Sequence, residues 1–155
     1  MAAVWAENSY CKRRQVGVLI VKDKMIISDG YNGTPSGFEN VCEDENGVTK
    51  PYVLHAEANA ITQCAKNGTS CNGAVLYVTT QPCVFCCIAL IQAGIKKVVF
   101  KGEYPTGLGL QLLEESGVEY IKYENELEDE RKASELKQLS EAKRIEEFLS
   151  KPKRY

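Results

Sequence analysis

The chain has 155 residues, 44% of them hydrophobic, enough for the core of one ordinary domain. Its 19 Lys and Arg against 21 Asp and Glu leave a net charge of −2, which argues against holding nucleic acid through a broad positive field and favours a small-molecule substrate. No apolar run reaches membrane-spanning length and the start, MAAVWAENSY, lacks the regions of a secretory leader, so a cytoplasmic protein with no membrane partner is expected. There the seven cysteines, an odd number, should mostly stay reduced and serve as ligands or small core residues rather than as a disulfide framework.

In chain order, Val4, Trp5 and Tyr10 among helix formers predict a first helix through Tyr10, ending before the basic cluster Lys12, Arg13 and Arg14. Val16–Val21 and Met25–Ser28 are β-rich runs separated by Lys22, Asp23 and Lys24, which predicts an antiparallel hairpin. From Gly30 to Asn46 the chain is rich in Gly, Asn, Pro and acidic residues and reads as a long loop, a kind of segment that often carries function. His55 opens a helix whose Ala56, Ala60, Ile61 and Cys64 share a face and whose stop signals are Asn67 and Gly68. Ala74–Thr79 reads as a buried strand, and Pro82 opens a helix through Ala93 that Gly94 ends. Lys97–Phe100 is another strand, Leu108–Glu115 a short helix, and Val118–Tyr123 a last strand. Hairpin followed by βαβαβ predicts an α/β fold, a mixed sheet with helices on both faces.

After Tyr123 the composition shifts. Residues 124–132 are almost all charged, and Leu136, Leu139, Ala142, Ile145, Phe148 and Leu149 then recur at near-helical spacing. Two units are expected: a domain over 1–123 and a charged amphipathic helix over 124–155, packed on the domain or serving as a subunit contact or lid.

His55, Ala56 and Glu57, with Pro82, Cys83 and Cys86, spell HAE…PCxxC. One imidazole and two thiolates suit tetrahedral zinc and leave its fourth position open to water, the arrangement of a catalytic rather than a structural site. Cys83 and Cys86 alone would fit a redox pair or half of a zinc ribbon equally well, and Cys87 or Cys64 could in principle close the site. A carboxylate two residues past the histidine has no place in a closed site, whereas beside an open one Glu57 can shuttle protons. With His55 and Glu57 in the first turn of one helix, and Cys83 and Cys86 in the first turn of another, the two N-termini point at a common centre. Their free N–H groups favour thiolate over thiol. The pattern is that of the zinc nucleobase deaminases.

Over roughly Cys11 to Tyr123 the chain resembles the deoxycytidylate deaminases of the zinc-dependent cytidine deaminase superfamily. The resemblance lies in HAEANAI and PCVFC, in RRQVGVLIV at Arg13–Val21, LYVT at Leu76–Thr79 and GIKKVVF at Gly94–Phe100, and most specifically in GYNGTPSG at Gly30–Gly37. It implies a cytidine-deaminase-like three-layer αβα sandwich on a five-stranded mixed sheet, and hydrolytic deamination of dCMP to dUMP. His55, Cys83 and Cys86 would hold Zn2+, with activated water attacking C4 and Glu57 shuttling protons. It further implies that the Ala56 N–H contacts the base O2, that the carbonyl near Gln81 accepts from the amino group, that Asn32 holds the sugar hydroxyl, and that Tyr104 closes over the substrate. Taken alone, Asn32 can also be read as a turn residue, and Tyr104 equally as packing.

The resemblance also implies hexamers and, as in many members, activation by dCTP and inhibition by dTTP. Cys11 and Cys42 match positions at which some phage relatives build a second zinc site with an additional histidine. His55 is the only histidine of this chain, so that site is expected to be absent. Rival functions are deamination of dCTP or deoxycytidine, deamination of tRNA adenosine, for which the chain is unusually acidic, and a silent binding module of the same fold.

Overall fold

The computed structural model describes residues 1–123 and 134–144. The chain divides into two units, Met1–Tyr123 and Glu124–Tyr155. In the first, the elements run α1 (Ala2–Ala6), β1 (Gly17–Lys22), β2 (Met25–Tyr31), α2 (Ala56–Lys66), β3 (Val75–Thr80), α3 (Val84–Gln92), β4 (Lys97–Gly102), α4 (Leu108–Glu115) and β5 (Glu119–Lys122). In the second, residues 134–144 are helical, with Leu136 and Leu139 exposed. Ile145, Phe148 and Leu149 of the expected apolar stripe, and the charged run 124–132, lie outside the described residues.

The sheet is mixed and five-stranded, in the order β2-β1-β3-β4-β5. β1 is antiparallel to both β2 and β3, whereas β3–β4 and β4–β5 are parallel and joined through α3 and α4. Asp23 and Lys24, both at positive φ, close the β1–β2 hairpin as a two-residue turn whose twist matches that of the strands. The sequence leaves that loop at three residues; Lys22 is instead paired with Met25 as the last rung of the ladder.

Val18, Ile20, Leu76, Val98 and Phe100 on one sheet face pack with Ala56, Ala60, Cys64, Cys87, Leu90 and Leu113 from the helices into one core cluster. On the other face α1 crosses so closely over β1 that a Cβ on Gly17 would strike the backbone of Ala2 and Ala6. Helices therefore cover both faces, but the second face is covered by α1, which precedes the hairpin, and not by a helix of the βαβαβ unit.

Two expected boundaries are corrected. The first helix ends at Ala6, not Tyr10. Ser9 and Cys11 are drawn away from helical geometry by tertiary bonds, since the Ser9 hydroxyl donates to the Asn32 carbonyl at 2.7 Å and a five-residue helix has little cooperativity with which to resist. The loop expected to begin at Gly30 begins after Tyr31, because β2 continues to pair with β1 as far as Gly17↔Tyr31. Beyond it the segment is irregular but pinned by two bridges, Gly33↔Leu54 and Glu43↔Thr49.

The expectation of mostly reduced cysteines holds for five of the seven, and one pair departs from it. Cys11 and Cys42 form a disulfide with a Cα–Cα distance of 5.1 Å, and the other five are free. The loop after β2 brings Cys42 back against the segment after α1, a proximity across 31 residues that cysteine counting does not reveal.

Candidate metal centre and its cavity

Two helix starts build the centre. His55 is the N-cap of α2 and Cys83 that of α3, both with extended backbone, so each side chain leaves the chain just ahead of a row of unpaired helical N–H groups. Cys86 follows in the first turn of α3. The His55 Nδ1 lies 3.5 Å from the Cys83 Sγ and 3.3 Å from the Cys86 Sγ, and all three donor atoms fall within 4.8 Å of one another. Tetrahedral zinc, with Zn–S near 2.3 Å and Zn–N near 2.05 Å, places nitrogen and sulfur about 3.6 Å apart. The donor set therefore fits zinc both in kind and in spacing. Cys87 is not part of it: its Sγ is directed to the Pro82 carbonyl at 3.7 Å, and burial pushes the thiol up to about 12. Cys64 is buried in the core cluster.

Charge is already arranged for a cation. A hydrogen bond from the Cys86 thiol, with further help from His55, pulls Cys83 down to about 4 against the cost of its burial. Cys86, as the donor, is pushed well above the ordinary thiol range. His55 is raised, first by its hydrogen bond with Cys83. Glu57, 3% exposed in the first turn of α2, is raised by burial, and the Cys86 thiol lies within its hydrogen-bond reach. A buried carboxyl that readily takes a proton beside an open metal position is suited to moving protons.

One cavity of about 330 Å³ opens onto the centre and brings the sequence-predicted residues together. Asn32, His55, Ala56, Glu57, Gln81, Cys83 and Tyr104 all line it, while Cys86 sits behind with the metal donors. Gln81 is held by its Nε2, which donates to the Thr106 carbonyl at 3.0 Å. Tyr104 follows Glu103, whose carboxylate pairs with Lys122. Asn32 is bonded at both ends of its amide: Oδ1 accepts from the Val16 N–H and Nδ2 donates to the Arg14 carbonyl, each at 2.8 Å. Sequence reasoning passed over Arg13, Arg14, Thr49 and Thr80, which also line the cavity; the Thr80 hydroxyl is buried with no partner among the described residues. In the sequence Arg13 and Arg14 stand out as part of a basic cluster and as the start of the RRQVGVLIV run, with no role in the site attached to either.

Residues 1–101 match the family model of the cytidine and deoxycytidylate deaminase zinc-binding region. The chain belongs to this deaminase family. Zinc is the metal of the family's site, and the three-donor centre is where this member can hold it. Among similar proteins, ComE operon protein 2 of Bacillus subtilis (strain 168) is 43% identical over 118 residues, covering 73% of this chain and 62% of that one. The deoxycytidylate deaminase of Mycobacterium phage D29 is 34% identical over 117 residues, 66% of this chain and 90% of the phage protein. The crystal structure of the dCMP deaminase from cyanophage S-TIM5, in complex with dCMP and dUMP, superposes with a TM-score of 0.76 at 45% identity and covers 79% of this chain and 90% of that one. The chain thus spans about three fifths of the Bacillus protein's length and most of the two phage proteins.

Proposed function

We propose that the protein hydrolyses dCMP to dUMP and ammonia, with residues 1–123 as the catalytic unit. The observation that carries this is the placement of Glu57, a buried carboxyl with a raised pKa, in one cavity with the His55, Cys83 and Cys86 donor set. The S-TIM5 structure, of a dCMP deaminase holding dCMP and dUMP, supports the choice of base and phosphate.

When bound, zinc supplies Lewis acidity, lowering the pKa of water so that attack at C4 can proceed near neutrality. Glu57 takes the proton of the attacking water and gives it to N3 of the ring. It then takes the second proton and passes it to the exocyclic nitrogen, which leaves as ammonia, so the carboxylate is regenerated and one water is consumed for each ammonia released. The Ala56 N–H, first in α2 and free of an intrahelical acceptor, is directed at the base O2, and the backbone carbonyl near Gln81 receives the amino group. Tyr104 covers the bound nucleotide. Asn32 acts on the sugar through whatever bonding capacity its two backbone bonds leave, and so also fixes the wall on which the sugar rests.

The same reading includes a cytosolic, hexameric enzyme responsive to dCTP and dTTP. Its supports are Phe85 and Ile88, exposed one turn apart on α3 as a subunit contact would need, and a second cavity of about 600 Å³ beside Gly33, Thr34, Gly37, Phe38 and Lys66, roomy enough for an effector.

The test is ultraviolet-monitored deamination of dCMP, deoxycytidine and dCTP in parallel by zinc-loaded protein, with and without dCTP or dTTP. Preferential loss of dCMP is expected, and no turnover of any of the three with zinc bound would overturn the reading. Glu57→Ala should keep about one zinc per chain while losing at least about 10²-fold in kcat; retained turnover would remove Glu57 from the mechanism.

A further inference from the structure

β3 sends Leu76, Val78 and Thr80 to one face of the sheet, since alternate residues of a strand share a face. Leu76 and Val78 are buried in the core cluster, whereas Thr80, the last of the row, lines the zinc cavity. It is 8% exposed, and its hydroxyl has no hydrogen-bond partner among the described residues. The neighbouring rung supplies none. Gly102, opposite Thr80 in the β3–β4 register, has no side chain, and its carbonyl already accepts from the Gln81 N–H at 2.6 Å. A Cβ on Gly102 would lie 3.4 Å from Thr80 Oγ1, so the missing side chain leaves room beside the hydroxyl.

A buried hydroxyl without a partner costs stability, and valine would fill nearly the same volume without that cost. The hydroxyl therefore gains nothing for the free fold, while its place on the cavity wall lets a ligand complete it. Its oxygen is shielded from solvent in the free cavity. One step of χ1, which exchanges hydroxyl and methyl, presents it to whatever fills the space.

We infer that the Thr80 hydroxyl meets the C4 edge of the bound pyrimidine, a substrate contact that rests on the cytosine-nucleotide reading of the cavity. Chain order selects this edge, because Thr80 directly precedes Gln81, near which the backbone carbonyl receives the exocyclic amino group. The amino group carries two hydrogens, so a carbonyl and a hydroxyl can both accept from it. In the product C4 bears an oxygen, to which a carbonyl has nothing to donate. A hydroxyl turns from acceptor to donor and keeps its bond. Thr80 thus holds the C4 edge in substrate and product alike.

Thr80→Val and Thr80→Ser in the full zinc-loaded chain test this. Thr80→Val should keep the native zinc content and a melting temperature no lower than native, while kcat/KM for dCMP falls at least about fivefold, the worth of one neutral hydrogen bond. Any turnover of deoxycytidine should fall by the same factor, because the contact is to the base. Thr80→Ser, which keeps the hydroxyl, should stay within about twofold of native. Unchanged kcat/KM in Thr80→Val would overturn the inference, as would equal losses in both variants, which would assign the effect to the methyl group. A fall in melting temperature or zinc content in Thr80→Val would also overturn it, by showing the hydroxyl already partnered in the free protein. Calorimetric binding of dUMP separates this result from the proposed reaction. If the native protein deaminates nothing yet binds dUMP, and Thr80→Val binds it at least about fivefold more weakly, the reaction fails and the contact stands. If dCMP is deaminated and Thr80→Val binds dUMP as the native protein does, the contact fails and the reaction stands.

Discussion

Zinc loading should be a proton-releasing event whose stoichiometry reports the charge state of individual donors. Thiolate and neutral imidazole are the ligating forms. Cys83, held at about 4, is already ionised at neutral pH, whereas Cys86 is raised and must give up its proton. His55 is raised as well, so below its pKa the imidazolium must lose a second proton. Zinc affinity therefore falls as pH drops through the His55 pKa, and calorimetry in buffers of different ionisation enthalpy should find about two protons released below that point and about one above it. A count of about three below that point and about two above it would place a proton on Cys83 and contradict the Cys86-to-Cys83 hydrogen bond. These donors were legible in the sequence because their chemistry is local: HAE and PCxxC fix spacings within single helix starts. Arg13 and Arg14 were not, because their orientation depends on Glu43 and Asn32, about 30 and 18 residues away, and no periodicity encodes such ties.

The elements that carry the donors are positioned by close backbone approach, and Gly30 is where this is most exposed to test. A Cβ at Gly30 would lie 2.5 Å from the Ala56 carbonyl oxygen and 2.7 Å from the Ala60 nitrogen, atoms of α2 that cannot swing aside as a side chain would. Gly30→Ala should therefore push α2 off β2, destabilising the protein by about 1–3 kcal/mol in chemical denaturation and weakening zinc binding, since His55 caps that helix. Gly33→Ala, with nothing within 4 Å, is the control and should stay within about 0.5 kcal/mol. Equal effects would mean that helix packing does not set the site. Helix and strand identities followed from period and stop signals, and α4 has the bounds that its pattern predicts, Leu108–Glu115. The misjudged ends, α1 at Ala6 and β2 at Tyr31, are those where a long-range partner decides: Asn32 for the segment after α1, and the β1 ladder for Gly30 and Tyr31.

At the scale of the whole molecule, the mixed sheet was expected from the order of its elements, but the cross-link tying two distant loops was not. The Cys11–Cys42 bond closes a separation of 31 residues, and by loop entropy alone such a link stabilises by about 3–4 kcal/mol. It joins the segment bearing Arg13 and Arg14 to the loop bearing Glu43, two parts of one cavity wall. Metal-stripped protein unfolded without reductant should expose five reactive thiols of the seven, and all seven after reduction. Reductant, or Cys42→Ser, should lower the melting temperature of otherwise native protein and loosen dCMP binding before it affects zinc content, because the zinc donors are set by α2 and α3 rather than by these loops. Seven reactive thiols without reductant would show the pair unjoined in solution. The Glu43 and Asn32 bonds would then hold the arginine segment alone, and Glu43→Ala would become the substitution that releases it.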